Sequence, residues 1–536
     1  MGRWGDRETK EENIRKLWHD ERLLIAGLLI AAIVLYTVGL GDVPIRDWDE
    51  GIVAGVARNI RRGEPGSQTW LYPTIDYGAP YWNKPPLIHW LIALSYSLFG
   101  VSEWSTRIVP AILSACSVPL VYLIGREVFA RSQTATFSAL VYLTLLPIAR
   151  HGRMAMLDGA IACWLCLAIW CLLRGTRSSS WLLGTGLALG LACLTKGIMM
   201  GVLLAGIIII FVAWDRPKLF GDPYLWIGLL LGMIPAIAWY GMQYFHYGEQ
   251  FLEISFGTQT FNRIWEPISK VHHHPPWYYL GEIAKYSLPW LIFLPNGVKL
   301  AFNHLHTTWG KLTLVWSGTY LVAISLMETK LPWYVIPIYP GLSLLMGSSL
   351  DRAWKKKLFP HFWRVSLSLV AIICWLASVY YGFFDAASSK DLWLVLLFLS
   401  TSITFASILL WLRSRYFILV IGAGFYFALL LLFNTSHWLW EVNEAFPVEP
   451  VAQMLRQYTP PRQNIYTSYP HQRPALNFYS DRVIIPQSST ALVQLWQQSE
   501  SPYFLITSDM LSNLDLAGKE VLASDVSWQL ITRRSN

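Results

Sequence analysis

The chain has 536 residues, of which 54% are apolar, 15% aromatic and only 14% charged. A charged share so far below the roughly 25% of soluble domains excludes a disordered, collagenous or ordinary cytosolic chain. Continuous apolar runs near 20 residues long exclude an alternating outer-membrane barrel, and the aromatic content suits interfacial belts on a helical polytopic membrane protein. The formal charge is +8, and where the positive residues sit matters more than their sum.

Residues 1–22 are polar and charged, and the first apolar run, Leu23–Leu40, follows them directly. It lacks the short basic start and small-residue end of a cleavable signal, so it reads as a retained span. Further spans are predicted at about 108–125, 132–149, 156–173, 181–195, 198–213, 224–241, 286–303, 312–328, 332–350, 365–384, 391–412 and 416–438, making about 13. Leu87–Phe99 is apolar but covers only 13 residues. That is too short to cross a core of roughly 30 Å, so it is expected to lie flat in the interface.

With that helix flat, segments 1–22, 126–131, 174–180, 214–222, 299–311, 351–364 and 413–415 share one side and hold 21 Lys and Arg in 74 residues. The opposite short segments hold about 14 in about 130. The dense side is cytoplasmic by the positive-inside rule. The N-terminus is then cytoplasmic and the C-terminus external. The expected organisation is a cytoplasmic 1–22, a transmembrane domain 23–440 with external loops 41–106 and 242–285, and an external domain 441–536. Strand-like runs at 464–468, 475–479, 482–486 and 502–507, with a helical run at 490–498, make that last part a small α/β domain. The six cysteines, Cys116, Cys163, Cys166, Cys171, Cys193 and Cys374, all lie in apolar runs and form neither a metal cluster nor a disulfide framework.

Charge is costly near a membrane, and the unusual polar residues gather at the external span ends. They are Asp49-Glu50 with Arg58 on the amphipathic stretch behind them, Asn83-Lys84-Pro85-Pro86-Leu87, Arg150 to Asp158 including Arg153, Lys196, the run His272-His273-His274, and Lys330 to Tyr334. Together they have the composition of a site for an anionic, membrane-embedded substrate. Cations neutralise a phosphate, and a carboxylate serves as general base. Each also has a plainer reading. Asp49-Glu50 suits a helix start, Lys84 a snorkelling lysine, and Arg153 with Asp158 an ion pair. Lys196 and Lys330 suit span ends, and the histidines a solvated loop.

These motifs, in this order, resemble those of the bacterial GT-C polyprenyl-phosphate-sugar glycosyltransferases, which include the lipid A aminoarabinose transferases and the protein O-mannosyltransferases. The likeness runs over nearly the whole chain and is closest over residues 45–345. It implies a GT-C architecture with a site on the periplasmic face of the bacterial inner membrane. It also implies inverting transfer of a sugar from an undecaprenyl-phosphate-type donor to a lipid, glycan or protein acceptor. Membrane lipid is the other expected partner, and nucleic acid is not one. By the same resemblance Asp49 is the general base, with Glu50 supporting it. Arg58, Lys84, Lys330 and Tyr334 hold the donor phosphate, and Arg153, Asp158 and Lys196 shape the substrate pocket. A divalent metal at His273 or His274 is left open. Two departures stand out from the aminoarabinose transferases: Asn83 where a Glu is frequent, and Ile52 where an Arg is. No Gly-x-Gly-x-x-Gly or Walker A lysine appears, in keeping with a lipid-activated donor. The rival readings are a polytopic lipid or sugar transporter and a non-catalytic scaffold of the same fold.

Overall fold

The computed structural model describes residues 2–64, 66–75, 78–267, 272–384, 390–440, 447–499, 502–514, 516–525 and 527–534, with side chains from Asp20 onward. The side chains of residues 1–19, which hold most charges of the expected cytoplasmic N-terminus, and Glu441, at the expected domain boundary, lie outside what is described.

In chain order the helices begin with α1 (Gly2–Thr37), α2 (Asp49–Arg62), α3 (Leu87–Phe99), α4 (Glu103–Val128), α5 (Ser132–Thr144), α6 (Leu146–Arg153), α7 (Asp158–Gly175) and α8 (Trp181–Lys196). Next come α9 (Ile198–Asp215), α10 (Pro223–Tyr247), α11 (Glu249–Leu252), α12 (Asn262–Trp265), α13 (Tyr278–Tyr286), α14 (Leu294–Asn303), α15 (Thr308–Leu326), α16 (Tyr339–Lys356), α17 (His361–Phe383), α18 (Lys390–Trp411) and α19 (Phe417–Phe433). The tail alternates α20 (Val448–Tyr458), β1 (Asn464–Thr467), α21 (Pro474–Ser480), β2 (Val483–Pro486), α22 (Ser489–Gln498), β3 (Tyr503–Thr507), α23 (Ser508–Asn513), β4 (Lys519–Asp525) and β5 (Trp528–Arg533).

Every expected span falls on helical segments. Among the described residues, six helices are long and apolar enough to cross a membrane, or seven if α5 and α6 are one bent span. Proline explains much of the shortfall from thirteen. Leu145 is extended, Pro147 in the first turn of α6 lacks the N–H that would carry the α5 ladder onward, and the α5–α6 pair bends by 57°. The run 286–303 is broken into a 3-10 turn, Trp290–Phe293, and α14 by Pro289 and Pro295. The run 332–350 starts as a 3-10 segment, Pro332–Ile338, before α16 begins.

The chain forms two compact units. The first comprises residues 1–40, 82–87 and 108–438. Its centre is α7 and α16, whose side chains are buried almost throughout. Its periphery is α10, α17 and α18, which keep large apolar side chains such as Leu230, Phe245, Ile373 and Phe405 exposed. An apolar helix surface of that extent is one that hydrocarbon covers. Helices α8 and α10 approach at backbone distance: a Cβ on Gly190 would lie 1.8 Å from the Gly232 carbonyl oxygen.

Ion pairs gather the charged segments at one end of this unit. Glu127 takes Arg177 at 2.8 Å and Arg174 at 3.4 Å, Asp215 takes Lys311 at 3.1 Å, and Glu21 pairs with Arg126. These are the segments that the charge pattern assigns to one side of the membrane.

The second unit comprises residues 41–81, 88–107 and 439–536. Its five-stranded sheet has the order β2-β1-β3-β5-β4. β1 is parallel to β2 and to β3, while β5 is antiparallel to β3 and to β4. The core joins α20 and α21 to the sheet through Val451, Leu455, Leu476, Ile465, Leu505 and Leu530. One expected strand is corrected: 475–479 lies in the helix α21. Pro474 occupies its first turn, and Ala475, Leu476 and Phe478 are buried at helical spacing. The strands β4 and β5 were not expected from the sequence.

The loop containing Asp49 belongs to this unit. Helix α2 packs on α21 so closely that a Cβ on Gly51 would lie 2.7 Å from the Ala475 nitrogen. Only glycine fits there, directly after Asp49-Glu50.

Candidate active site

In the first unit, two helix termini bring opposite charges together. Asp158 opens α7 and Lys196 closes α8, where Gly197, at φ 104°, ends the helix. A carboxylate favours a helix N-terminus and an ammonium a C-terminus. The two side chains hydrogen-bond directly, nearly buried. The Lys196 ammonium also stands 5.2 Å from the centre of the Tyr334 ring. Lys84, Lys196, Tyr320 and Tyr334 line one cavity of about 30 Å³, whose remaining wall is Met199, Met200, Leu203, Ile324 and Met327. That volume holds a water or two. Cations and phenol rings thus meet an apolar wall.

A polar chain runs beside this cavity. Arg263 on α12 donates to the Tyr334 hydroxyl at 2.9 Å and to Gln259 at 2.6 Å, and Gln259 donates to Asn83 at 3.3 Å. Sequence reasoning passed over Arg263. Its signal was that of a single arginine in the aromatic-rich loop 242–285.

The other expected residues of this unit have different settings. Arg153 is fully buried, its guanidinium 4.0 Å from the Phe433 ring and 4.3 Å from Trp438, and it donates to the Val38 carbonyl. Lys330 is buried and donates to the Met327 carbonyl. Its backbone bonds His272, while Thr329 bonds Arg263. Burial lowers the Lys330 ammonium from its ordinary value. Neither Arg153 nor Lys330 lines the cavity of Lys84 and Lys196.

His273 pairs with Glu328 at 3.0 Å, and His274 stacks on Tyr278 at 4.2 Å. Among the described residues no group of three or more His, Cys, Asp and Glu side chains is arranged to hold a metal ion. Among the described residues His273 and His274 belong to no such group.

In the second unit, Trp48 takes φ 59°, a conformation that favours glycine, and turns the chain into α2. Asp49 is about one-third exposed, with Arg46 at 3.6 Å. Glu50 is fully buried and receives Arg107 through two nitrogens, at 2.9 and 2.8 Å, and the Arg46 backbone N–H at 2.9 Å. Arg107 also donates to the carbonyls of Val43 and Pro44. Glu50 is thus the anchor of the loop that carries Asp49. Asp47 is held by Arg473 and by the Ala475 N–H at 3.0 Å, yet burial outweighs both and raises its carboxyl above the usual range. Arg58 donates to the Phe478 carbonyl at 2.6 Å and lies 3.6 Å from Asp481.

Comparison with known proteins agrees with this frame. Residues 83–240 match the family described as dolichyl-phosphate-mannose-protein mannosyltransferase. The undecaprenyl phosphate-alpha-4-amino-4-deoxy-L-arabinose arabinosyl transferase 1 of Pseudomonas fluorescens is 29% identical over 334 residues, covering 58% of each chain. An uncharacterised protein of Aquifex aeolicus is 26% identical over 462 residues, covering 85% of this chain and 87% of its own. The crystal structure of ArnT from Cupriavidus metallidurans bound to undecaprenyl phosphate superposes with a TM-score of 0.78 at 20% identity, over 95% of this chain and 97% of that one. The chain spans about three-fifths of the length of the arabinosyl transferases it matches.

The fold is that of this ArnT structure, mostly helical with a small C-terminal sheet. Over part of its length, and at under 30% identity, the chain is similar to glycosyltransferases that use polyprenyl-phosphate sugars.

Proposed function

We propose that this protein transfers a sugar from an undecaprenyl-phosphate-type donor to a hydroxyl or phosphate of a lipid, glycan or protein acceptor, at the periplasmic face of the inner membrane. The observation that carries the reading is the cavity where Lys84, Lys196 and Tyr334 face an apolar wall. A lipid phosphate needs cations for its charge beside hydrocarbon for its tail; the cavity, sized for a water or two, marks where these meet and has to widen to admit the donor. The likeness to arabinosyl transferases and to an undecaprenyl-phosphate-bound structure supports the same donor.

In the proposed reaction the acceptor O–H gives its proton to the Asp49 carboxylate. The acceptor oxygen bonds to the anomeric carbon from the face opposite the leaving group. The bond from that carbon to the phosphate oxygen breaks, and the configuration inverts. Polyprenyl phosphate leaves with the electron pair, and Lys84, Lys196 and Arg263 offset the negative charge that develops. Glu50 and Arg107 position Asp49 through the loop. Arg58, Lys330, Arg153 and Asp158 act as supports of this machinery. No step is routed through a metal. Thirteen crossings, with the N-terminus cytoplasmic and the C-terminus periplasmic, complete the proposal.

The test is transfer from radiolabelled undecaprenyl-phosphate sugars, the aminoarabinose donor first, by purified wild type and Asp49→Asn in detergent. Label should leave the lipid with wild type, and Asp49→Asn should slow it by on the order of 10²–10⁴-fold with folding intact. Equal turnover in both proteins would remove Asp49 as the base. If no donor lost label even with cell-envelope extract as acceptor, a transporter or a non-catalytic scaffold would become the better reading.

A further inference from the structure

The second unit contains another cavity, far larger than the first, that shares only Arg58 with the proposed machinery. It measures about 630 Å³ and lies among the C-terminal end of α2, the residues Thr69, Thr74 and Gly78, and the starts of β1 and β2. Among the described residues its charged lining is four arginines, Arg58, Arg62, Arg462 and Arg482, against one carboxylate, Asp481.

The single carboxylate is already engaged. Arg62 clasps it through two nitrogens, at 2.6 and 3.2 Å, and Arg58 lies at 3.6 Å. Arg482 is buried at 6% exposure, and its guanidinium is held by carbonyls and a hydroxyl: Thr459 O at 2.6 Å, Ser480 O at 3.1 Å and Thr459 Oγ1 at 2.7 Å. Burial lowers the Arg482 guanidinium from its ordinary value, the direction expected of a cation that carbonyls hold without a full counter-charge. The Arg462 side chain makes no hydrogen bond or ion pair among the described residues, and Arg462 and Asp481 both adopt left-handed backbone, at φ 57° and 54°. Residues other than glycine, asparagine and aspartate seldom enter that region. Here the two turns stand side by side, linked by the Arg462 N–H to the Asp481 carbonyl at 3.3 Å. They set both side chains at the rim of one cavity.

The surplus positive charge selects an anion of more than one charge. Guanidinium forks match both carboxylate and phosphate, and of the two only phosphate carries more than one charge on a single group. The volume lies in the range of small-molecule sites and far exceeds a bare phosphate. The uncharged polar lining, Asn59, Thr69, Thr74 and Asn464, is of the kind that hydrogen-bonds sugar hydroxyls.

We propose that the cavity bounded by Arg58, Arg62, Arg462 and Arg482 is a binding site for a phosphorylated saccharide, carried on a lipid or free in solution. The inference stands on this cavity and does not depend on glycosyl transfer.

The experiment is calorimetric titration of the full chain in detergent with glucose 1,6-bisphosphate, glucose 1-phosphate, glucose and inorganic phosphate. A parallel arm measures co-flotation with phosphatidylcholine vesicles bearing a synthetic dialkyl glucosyl phosphate. The bisphosphate should bind tightest and glucose weakest. Arg462→Glu and Asn464→Asp, both at exposed positions, should weaken the bisphosphate by about ten- to a hundredfold while leaving the melting temperature unchanged. Capture by the vesicles with weak binding of free sugar phosphates would assign a lipid-borne ligand, and the converse a soluble one. Equal affinity for inorganic phosphate and the bisphosphate would overturn the saccharide. Failure of every phosphorylated probe in both arms, or equal binding by wild type and both variants, would overturn the site. Donor turnover, measured on the same preparations, tells failure of this site apart from failure of the transferase reading.

Discussion

The two acidic residues that open α2 have different surroundings, and the difference assigns them different work. Asp49 is about one-third exposed, with Arg46 of the same loop at 3.6 Å, as a base that meets substrate must be. Glu50 is sealed from solvent against Arg107, and that pair holds the loop carbonyls of Val43 and Pro44 as well. A buried ion pair contributes little against an apolar replacement, but breaking it from one side costs about 3–5 kcal/mol. Glu50→Gln or Arg107→Met alone should therefore lower the detergent melting temperature clearly. The double variant should melt above either single one. If the three melt together, the pair does not anchor the loop. The neighbouring Asp-Glu letters announced carboxylates to the sequence reader. Which one is exposed depends on Arg107, 57 residues further along the chain.

Helix packing in the first unit rests on places where no side chain fits. Gly190 on α8 faces the Gly232 carbonyl on α10, and Gly186 faces Gly228 in the same way. Without a hydrophobic drive between helices in lipid, such close approach supplies van der Waals contact that bulkier residues forbid. Gly190→Ala should lower the melting temperature, because the clash is with backbone. Gly206→Ala on α9, where a Cβ meets open space, should hold or raise it, since alanine favours helix by up to ~1 kcal/mol. Equal melting of the two variants would show that the α8–α10 approach is looser than described. The apolar runs of these helices were legible in the sequence, and so was the 13-residue helix α3 with its bounds. The breaks were less so. The prolines at 147, 289 and 337 were visible, but their effect inside otherwise unbroken hydropathy was not weighed. Residues 475–479 read as a strand because a short apolar run carries no period of its own. Pro474 and the packing of α21 against α2 make it a helix.

For the protein as a single object, charge placement and pH are the handles. Ion pairs collect the arginine-rich segments at one end of the first unit, the end proposed as cytoplasmic. With the six native cysteines replaced by serine or alanine, Asn513→Cys should react with a membrane-impermeant maleimide in spheroplasts. Ser178→Cys should react only after lysis, and the reverse pattern would invert the topology. Acid provides the second handle. Burial alone would raise the Asp481 carboxyl, but the hydrogen bond from Arg62 and the charges of Arg58, Arg62 and Arg482 hold it below its ordinary value. A group lowered on folding stabilises the native state fully above its unfolded value, near pH 4, and loses that contribution as pH falls through the lower folded one. Wild type should out-melt Asp481→Asn at neutral pH, and the gap should close below about pH 4. A gap unchanged into acid would mean that Asp481 acts through shape rather than charge.

Hydropathy, charge asymmetry and a handful of short motifs were enough for a mostly helical, apolar protein and for the family it resembles. That information is local or additive along the chain: twenty apolar residues seek hydrocarbon wherever they stand, and a lysine beside two prolines is noticed without its neighbours. What folding alone decided is partnership. The meeting of Lys196 with Asp158, the aim of Arg263 at Tyr334, the burial of Glu50 by Arg107 and the joining of the loop 41–81 to the C-terminal sheet all link residues tens to hundreds of positions apart. Side-chain contacts across such separations follow from how helices and strands pack, and no window along the sequence contains both partners.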